Sequence, residues 1–256
     1  MNAIERAIVI PDLHVPLHDN AAVECCLKAI GFIRPTIAIF LGDIGEWESV
    51  SKWMYAKKKR PPVEYILNDI HRDAAEVNEV LDRFDSIFHY NNVQRKIMML
   101  GNHEVWLENF VTEHPYLVEY LPERIMRLNE RGYESYAHGT YLQIGELNFY
   151  HGGHHVGVNH ARQHAINLGT NVMYAHNHDI SRASLANLNG IHSAFSIGCL
   201  KKVQGEANKW LKGRKMNWGH SFAIVDWMED GTFRADTVDI TGGKTMIWGI
   251  RIDGNI

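Results

Sequence analysis

Five short, predominantly apolar runs set the pattern of this chain. Residues 7–10, 37–41, 96–100, 147–150 and 172–175 are each followed by polar side chains: Asp12-Leu13-His14, Gly42-Asp43, Gly101-Asn102-His103-Glu104, His151, and His176-Asn177-His178. Apolar runs of this length bounded by turn residues predict buried strands. Polar groups just past the carboxyl ends of such strands lie where open α/β sheets build their ligand sites. After the first run, Asp19 reads as a helix N-cap, and Ala22, Val23, Cys26, Leu27 and Ile30 recur at helical spacing with Gly31 as the stop. This strand-helix unit leads into the run at Ile37 and predicts parallel pairing.

The periodicity then lengthens. Val63, Ile66, Leu67, Ile70, Ala74, Val77, Leu81 and Phe84 repeat at three and four, which predicts a long amphipathic helix lying on one face of a sheet. A further helical pattern follows Glu104 and is interrupted at Pro115 and Pro122. From Tyr133 onward, short runs separated by glycines predict hairpins, and residues 159–168 predict a helix ended by Gly169. Segments 192–197, 221–227, 232–240 and 245–252 read as antiparallel strands. The pattern as a whole predicts two packed sheets flanked by helices.

Composition narrows the class. With 256 residues and 45% hydrophobic content, the chain is expected to form one domain over residues 1–256. Three cysteines, two of them adjacent at 25 and 26, offer no disulfide framework, so a reducing, cytoplasmic location is expected. No apolar stretch reaches the roughly 18 residues that span a bilayer, and no membrane partner is expected. Histidine is the anomaly: nine of the sixteen fall between His138 and His192.

Singly, Asp12, Asp43 and Asn102 are the residues that cap helices and form turns. Their joint occurrence with four histidines, always after an apolar run, points to metal binding. The five ordered blocks resemble the signature of the calcineurin-like metallophosphoesterase superfamily, and the layout is similar to its members in phages and bacteria. Two positions depart from that signature: Ala175 precedes the last block where glycine is usual, and Val15-Pro16 follows the first where glycine is usual. The resemblance implies a four-layer α/β/β/α sandwich with two mixed β-sheets and two divalent metal ions. Asp12, His14 and His178 would complete one metal, Asn102, His151 and His176 the other, with Asp43 bridging. Only a carboxylate among these types can bridge two cations, and mixed oxygen and nitrogen ligands suit manganese first, with iron, zinc or nickel as alternatives. Two such ions about 3.5–4 Å apart neutralise phosphoryl oxygens and activate a water for attack.

By the same resemblance His103 stands beside the metals as a general acid. Glu104 has two open readings, a catalytic one in which it polarises His103 and a structural one in which it caps the following helix. His160 and His164 read as a plain helix face, and Cys199 as a small buried residue. The expected activity is hydrolysis of phosphodiesters, with a phosphomonoesterase or protein phosphatase as the rival enzyme and a binding scaffold of the same fold as the rival class. No arginine follows Asp43 before Arg60, so a protein phosphatase would lack its phosphate anchor.

Charge distribution suggests the substrate. Residues 57–60 and 201–215 together carry a net +9, leaving −13 for the rest of a chain whose overall charge is −4. Two basic loops on an acidic body suit a polyanion, so nucleic acid is a candidate partner beside a phosphoester substrate. Lys209, Lys212, Arg214 and Lys215 are the expected backbone contacts. Trp47, with Trp53, Trp210 and Trp218, is an expected stacking surface.

Overall fold

A computed structural model of the chain describes residues 5–188 and 190–255, with the backbone alone at 206, 207 and 210. In chain order the strands are β1 (Glu5–Ile10), β2 (Ile37–Phe40), β3 (Arg95–Met99), β4 (Tyr133–Tyr136), β5 (Leu142–Ile144), β6 (Leu147–Phe149), β7 (Asn171–Tyr174), β8 (Ile180–Asn187), β9 (Gly190–Ile197), β10 (His220–Trp227), β11 (Phe233–Ile240), β12 (Lys244–Ile247) and β13 (Ile250–Asp253). The helices are α1 (Asn20–Ile33), α2 (Val63–Tyr90), α3 (Asn102–Glu113), α4 (Pro122–Ile125) and α5 (His160–Leu168). Six strands form one mixed sheet in the order β11-β10-β1-β2-β3-β4, and five form a second in the order β5-β6-β7-β9-β8. β1, β2, β3 and β4 run parallel, as do β6, β7 and β9. The carboxyl ends of β1, β2, β3, β6 and β7 thus deliver the polar blocks.

Side-chain alternation along the first sheet divides the core in two. Ala7, Val9, Ile37, Ile39, Ile97 and Met99 face Phe149, Met173, Ala175 and Ile197 of the second sheet. Their neighbours Ile8, Ile10, Ala38, Phe40 and Met98 point the other way, into α1 and α2. The outer face of the second sheet packs Val172 and Tyr174 against Ala165 of α5. Helices, sheet, sheet and helix therefore form the four layers that the pattern predicts. The runs read as nearly continuous apolar stretches because both faces of each strand are covered.

The elements differ from expectation at three places. Gly31 does not stop α1; the helix continues to Ile33, which is buried, and ends where Arg34 turns left-handed at φ 48°. Seating Ile33 in the core outweighs the weak helix propensity of one glycine. Residues 245–252 are not one strand but the hairpin β12-β13, folded at Trp248 and Gly249, both with positive φ. Strand β8 is invisible to pattern because, among the described residues, it pairs only with β9, at the sheet edge, and its residues are largely exposed or half-buried.

No helix among the described residues is long and apolar enough to cross a membrane. α2 spans 28 residues but buries a single stripe. Within that stripe Phe84 is fully buried and meets Phe40 edge-on at 5.1 Å between centroids. Phe84→Ala should lower stability by about 3–5 kcal/mol, read from the urea midpoint. Gly31→Ala should do the reverse. A Cβ there meets nothing within 4 Å, so urea denaturation should show a gain of about 0.5–1 kcal/mol.

Candidate metal centre

Asp12, His14 and His178 gather in one group and Asp43, His151 and His176 in another, with the ligand atoms of each group within 4.8 Å of one another. Nε2 of His178 lies 3.0 Å from Asp12 Oδ2 and 3.1 Å from His14 Nε2. In the second group Nε2 of His151 lies 3.4 Å from Asp43 Oδ2, 3.0 Å from Asn102 Oδ1 and 3.2 Å from His176 Nδ1. Asp43 stands between the groups, its Oδ2 also 3.6 Å from His14 Nε2. Two donors each about 2.1 Å from a shared metal stand about 3.0–3.4 Å apart, so these spacings fit divalent ions. Asp12 Oδ1 is buried without a hydrogen-bond partner, a further mark of an atom meant for a cation.

Several of these residues occupy conformations that side chains avoid. His14, Asp43, His176 and His178 have φ of 52°, 48°, 64° and 61°. Left-handed backbone costs a non-glycine residue about 1–3 kcal/mol and persists only where the surroundings impose it. Glycines make the close approaches possible. A Cβ on Gly101 would sit 2.1 Å from Asp43 Oδ1, and one on Gly42 would sit 2.5 Å from the nitrogen of Gly101. The loops after β2 and β3 can touch only because neither residue has a side chain.

Backbone carbonyls and one carboxylate orient the imidazoles. His151 donates from Nδ1 to the Leu41 carbonyl at 2.8 Å, and His103 from Nδ1 to the Glu46 carbonyl at 2.7 Å. The carboxylate of Glu46 lies 2.8 Å from His14 Nδ1. Each contact turns Nε2 of its ring inward, the outer-shell support that metal-site histidines depend on. The His103 ring also lies against Trp106, centroids 3.9 Å apart at a tilt of 34°, and its Nε2 reaches to 3.9 Å from Asp43 Oδ2.

Burial and neighbouring charges set the protonation of the cluster. Burial opposes ionisation of Asp43, but His151 and then His103 hold its carboxyl well below the usual range. Burial likewise opposes charge on Asp12, which the His178 hydrogen bond keeps ionised. Against its own burial, His151 is pushed up to about 10 by Asp43 and then Asp12. Burial takes His14 and His176 down to about 4, leaving them neutral donors. A bound dication would replace the His151 proton as the compensating charge.

Glu104 does not polarise His103. It is fully buried, and its two oxygens accept from the backbone N–H groups of Gly101, Asp43, Ile44 and Gly45 at 2.8–3.3 Å and from the Trp47 indole at 3.2 Å. The capping reading is the one the hydrogen bonds describe, extended to a second loop. Trp47 is corrected with it: the indole is fully buried and offers no stacking surface. His160 and His164 lie, as read, on a face of α5, and that face packs on the second sheet. His160 bonds Asp179 at 2.8 Å and the Tyr174 hydroxyl at 2.7 Å, and His164 stacks on Tyr174 at 4.0 Å.

The centre opens into a cleft of about 1170 Å³. Of the predicted phosphate contacts, Lys215 lines it, whereas Lys209, Lys212 and Arg214 are exposed outside the lining. Trp53 and Trp218 line it, and the Trp210 side chain lies outside the described residues. Glu46 and Lys201 are among the lining residues that sequence reasoning did not single out. Lys201 is 4% exposed and its Nζ lies 2.9 Å from the Glu46 carboxylate. Glu46, three residues after Asp43, was readable as a rim residue; Lys201 was hidden among the lysines of its own segment.

No family model matches the chain. It is similar to the gene 54 protein of Mycobacterium phage L5, with 21% identity over 264 residues that cover 96% of this chain and 97% of that one. Among solved structures, vacuolar protein sorting 29 from Cryptosporidium parvum matches at a TM-score of 0.48 and 11% identity, covering 98% of each chain. Vps29 from Chaetomium thermophilum matches at 0.41 and 11% identity, over 91% of this chain and 97% of that one. With scores this low, the architecture rests on the sheet order and layers described above.

Two substitutions test how the centre is built. Glu104→Ala strands five buried donors and should lower stability by at least roughly 2 kcal/mol in urea denaturation, with weaker manganese binding by calorimetry. Gly101→Ala should also weaken manganese binding, because the new Cβ must displace Asp43.

Proposed function

We propose that the chain is a two-metal phosphoester hydrolase that acts on small phosphodiesters. The observation that carries this reading is the pair of ligand groups meeting at Asp43, with the His103 imidazole directed at the same carboxylate. The resemblance of the five polar blocks to calcineurin-like metallophosphoesterases supports it. Divalent ions held by Asp12, His14 and His178, and by Asp43, Asn102, His151 and His176, would neutralise phosphoryl oxygens and lower the pKa of water.

The protein's own groups would do the rest. His103, with Nδ1 committed to the Glu46 carbonyl, has only Nε2 to present, and would give a proton there to the departing oxygen. Trp106 beneath its ring holds the imidazole plane. Lys201 adds a fixed positive charge that Glu46 holds at the cleft wall. Beyond the ligands, the lining cations are Lys201 and Lys215, against Glu46, Glu48 and Asp179. This modest balance suits a diester's single negative charge better than a monoester dianion or a nucleic-acid polymer, and the volume of the cleft accommodates the second substituent.

Metal-stripped protein should regain hydrolysis of bis(p-nitrophenyl) phosphate on addition of Mn²⁺, with kcat/KM above that for p-nitrophenyl phosphate. His103→Ala should lose about 10²- to 10⁴-fold in kcat while its manganese content stays that of the wild type. Wild-type protein inert with manganese, iron, zinc and nickel would remove the hydrolase reading and leave a metal-binding scaffold.

A further inference from the structure

The cleft changes character with distance from the metal ligands. Its inner end is polar, formed by the histidines, Asp43, Asn102 and Lys201. Its mouth carries Glu48, Lys215 and Asn217 but is otherwise apolar, and the apolar groups come from three separate segments. Trp53 and Met54 precede α2, Val156 and Val158 lie between β6 and α5, and Met216 and Trp218 precede β10. Trp53, Val156, Val158 and Met216 are 69%, 70%, 94% and 46% exposed. Singly, an exposed apolar side chain is ordinary. Gathered at the entrance of one cleft, from loops with no sequence relation, they form the kind of patch that marks a ligand surface.

Aromatic surface extends inward from this mouth. Trp106 lies against His103 at a tilt of 34°, and Trp218 meets His178 edge-on at 4.8 Å, so indoles flank both histidines. At the outer end, the Lys52 ammonium lies 5.0 Å from the Trp53 ring centroid. Indole faces bind flat π-systems through stacking, which is tolerant of the identity of the base. The basic residues of segments 57–60 and 209–214 do not line this cleft, so a long phosphate backbone finds no track there.

We infer that this apolar mouth is a subsite for a planar aromatic substituent, so that the substrate is a small phosphodiester carrying a nucleobase, with its phosphate at the metal ligands and its base between the loops. The inference rests on the hydrolase reading only for the position of the phosphate. Cleavage would add water across one P–O bond, leaving a nucleoside monophosphate and an alcohol, and the monophosphate retains both groups that the cleft recognises.

Calorimetry on the manganese-loaded protein compares adenosine 5′-monophosphate, ribose 5-phosphate and hexyl phosphate. Adenosine monophosphate should bind at least about tenfold tighter than ribose 5-phosphate, and Trp53→Ala with Met216→Ser should remove most of that difference. Both residues are exposed, so the double variant should fold. In turnover, the p-nitrophenyl ester of thymidine 5′-phosphate should exceed methyl p-nitrophenyl phosphate in kcat/KM by a similar factor, since the leaving group is the same. Equal affinity for the adenosine and ribose phosphates would overturn the subsite. Hexyl phosphate binding as tightly as adenosine monophosphate would overturn its preference for planar groups. A base preference in binding, with no diester hydrolysed under any metal, would uphold the subsite and sink the hydrolase reading instead.

Discussion

The carboxylate of Glu104 is the point on which the centre depends. It sits fully buried at the first turn of α3, where burial and the charge of Asp43 push its pKa up, and it is held by five N–H donors. One of those donors belongs to its own helix and four to the loop after β2. A single side chain thereby closes the helix end and ties that loop to it. Asp43 is then fixed from both sides, since its Oδ1 accepts the His103 N–H at 2.9 Å. A buried acceptor with this many partners tolerates no shift of either loop, because each lost partner leaves a buried donor unsatisfied.

Left-handed backbone at His14, Asp43, His176 and His178 likewise persists because the surroundings impose it. The strands behind these residues are packed on both faces, β1 and β2 between the α1 and α2 helices and the second sheet, and β7 between the first sheet and α5. Strain at the loops is thus opposed by a core that cannot follow it. The same constraint gives the imidazoles their direction: backbone carbonyls at Leu41 and Glu46 take one nitrogen and leave the other facing inward.

Outside this braced region the cleft is built differently. Its mouth is made of loops without shared strands, and their apolar side chains meet only because the sandwich brings its loops to one edge. On the proposed reading, the polar floor would hold a phosphate and the apolar entrance would select what is attached to it. The basic segments, which dominate the charge pattern along the chain, lie for the most part elsewhere.

Much of the architecture was legible in the chain. Five apolar runs ending in polar blocks determined the buried strands, their carboxyl-end chemistry and the residues now gathered around Asp43, because strand burial and loop position follow from local hydrophobicity. The Asp19 cap and the stripe of α2 were legible for the same reason, being short-range. What the chain alone could not settle was direction and partnership over long separations. Glu104 serves a loop 60 residues away, Trp47 turns inward to meet it, Lys201 leaves its basic neighbours for Glu46, and His160 is enclosed by the sheet. Those outcomes depend on which groups the folded layers bring within hydrogen-bond reach, and that distance is a property of the tertiary structure, not of the sequence pattern.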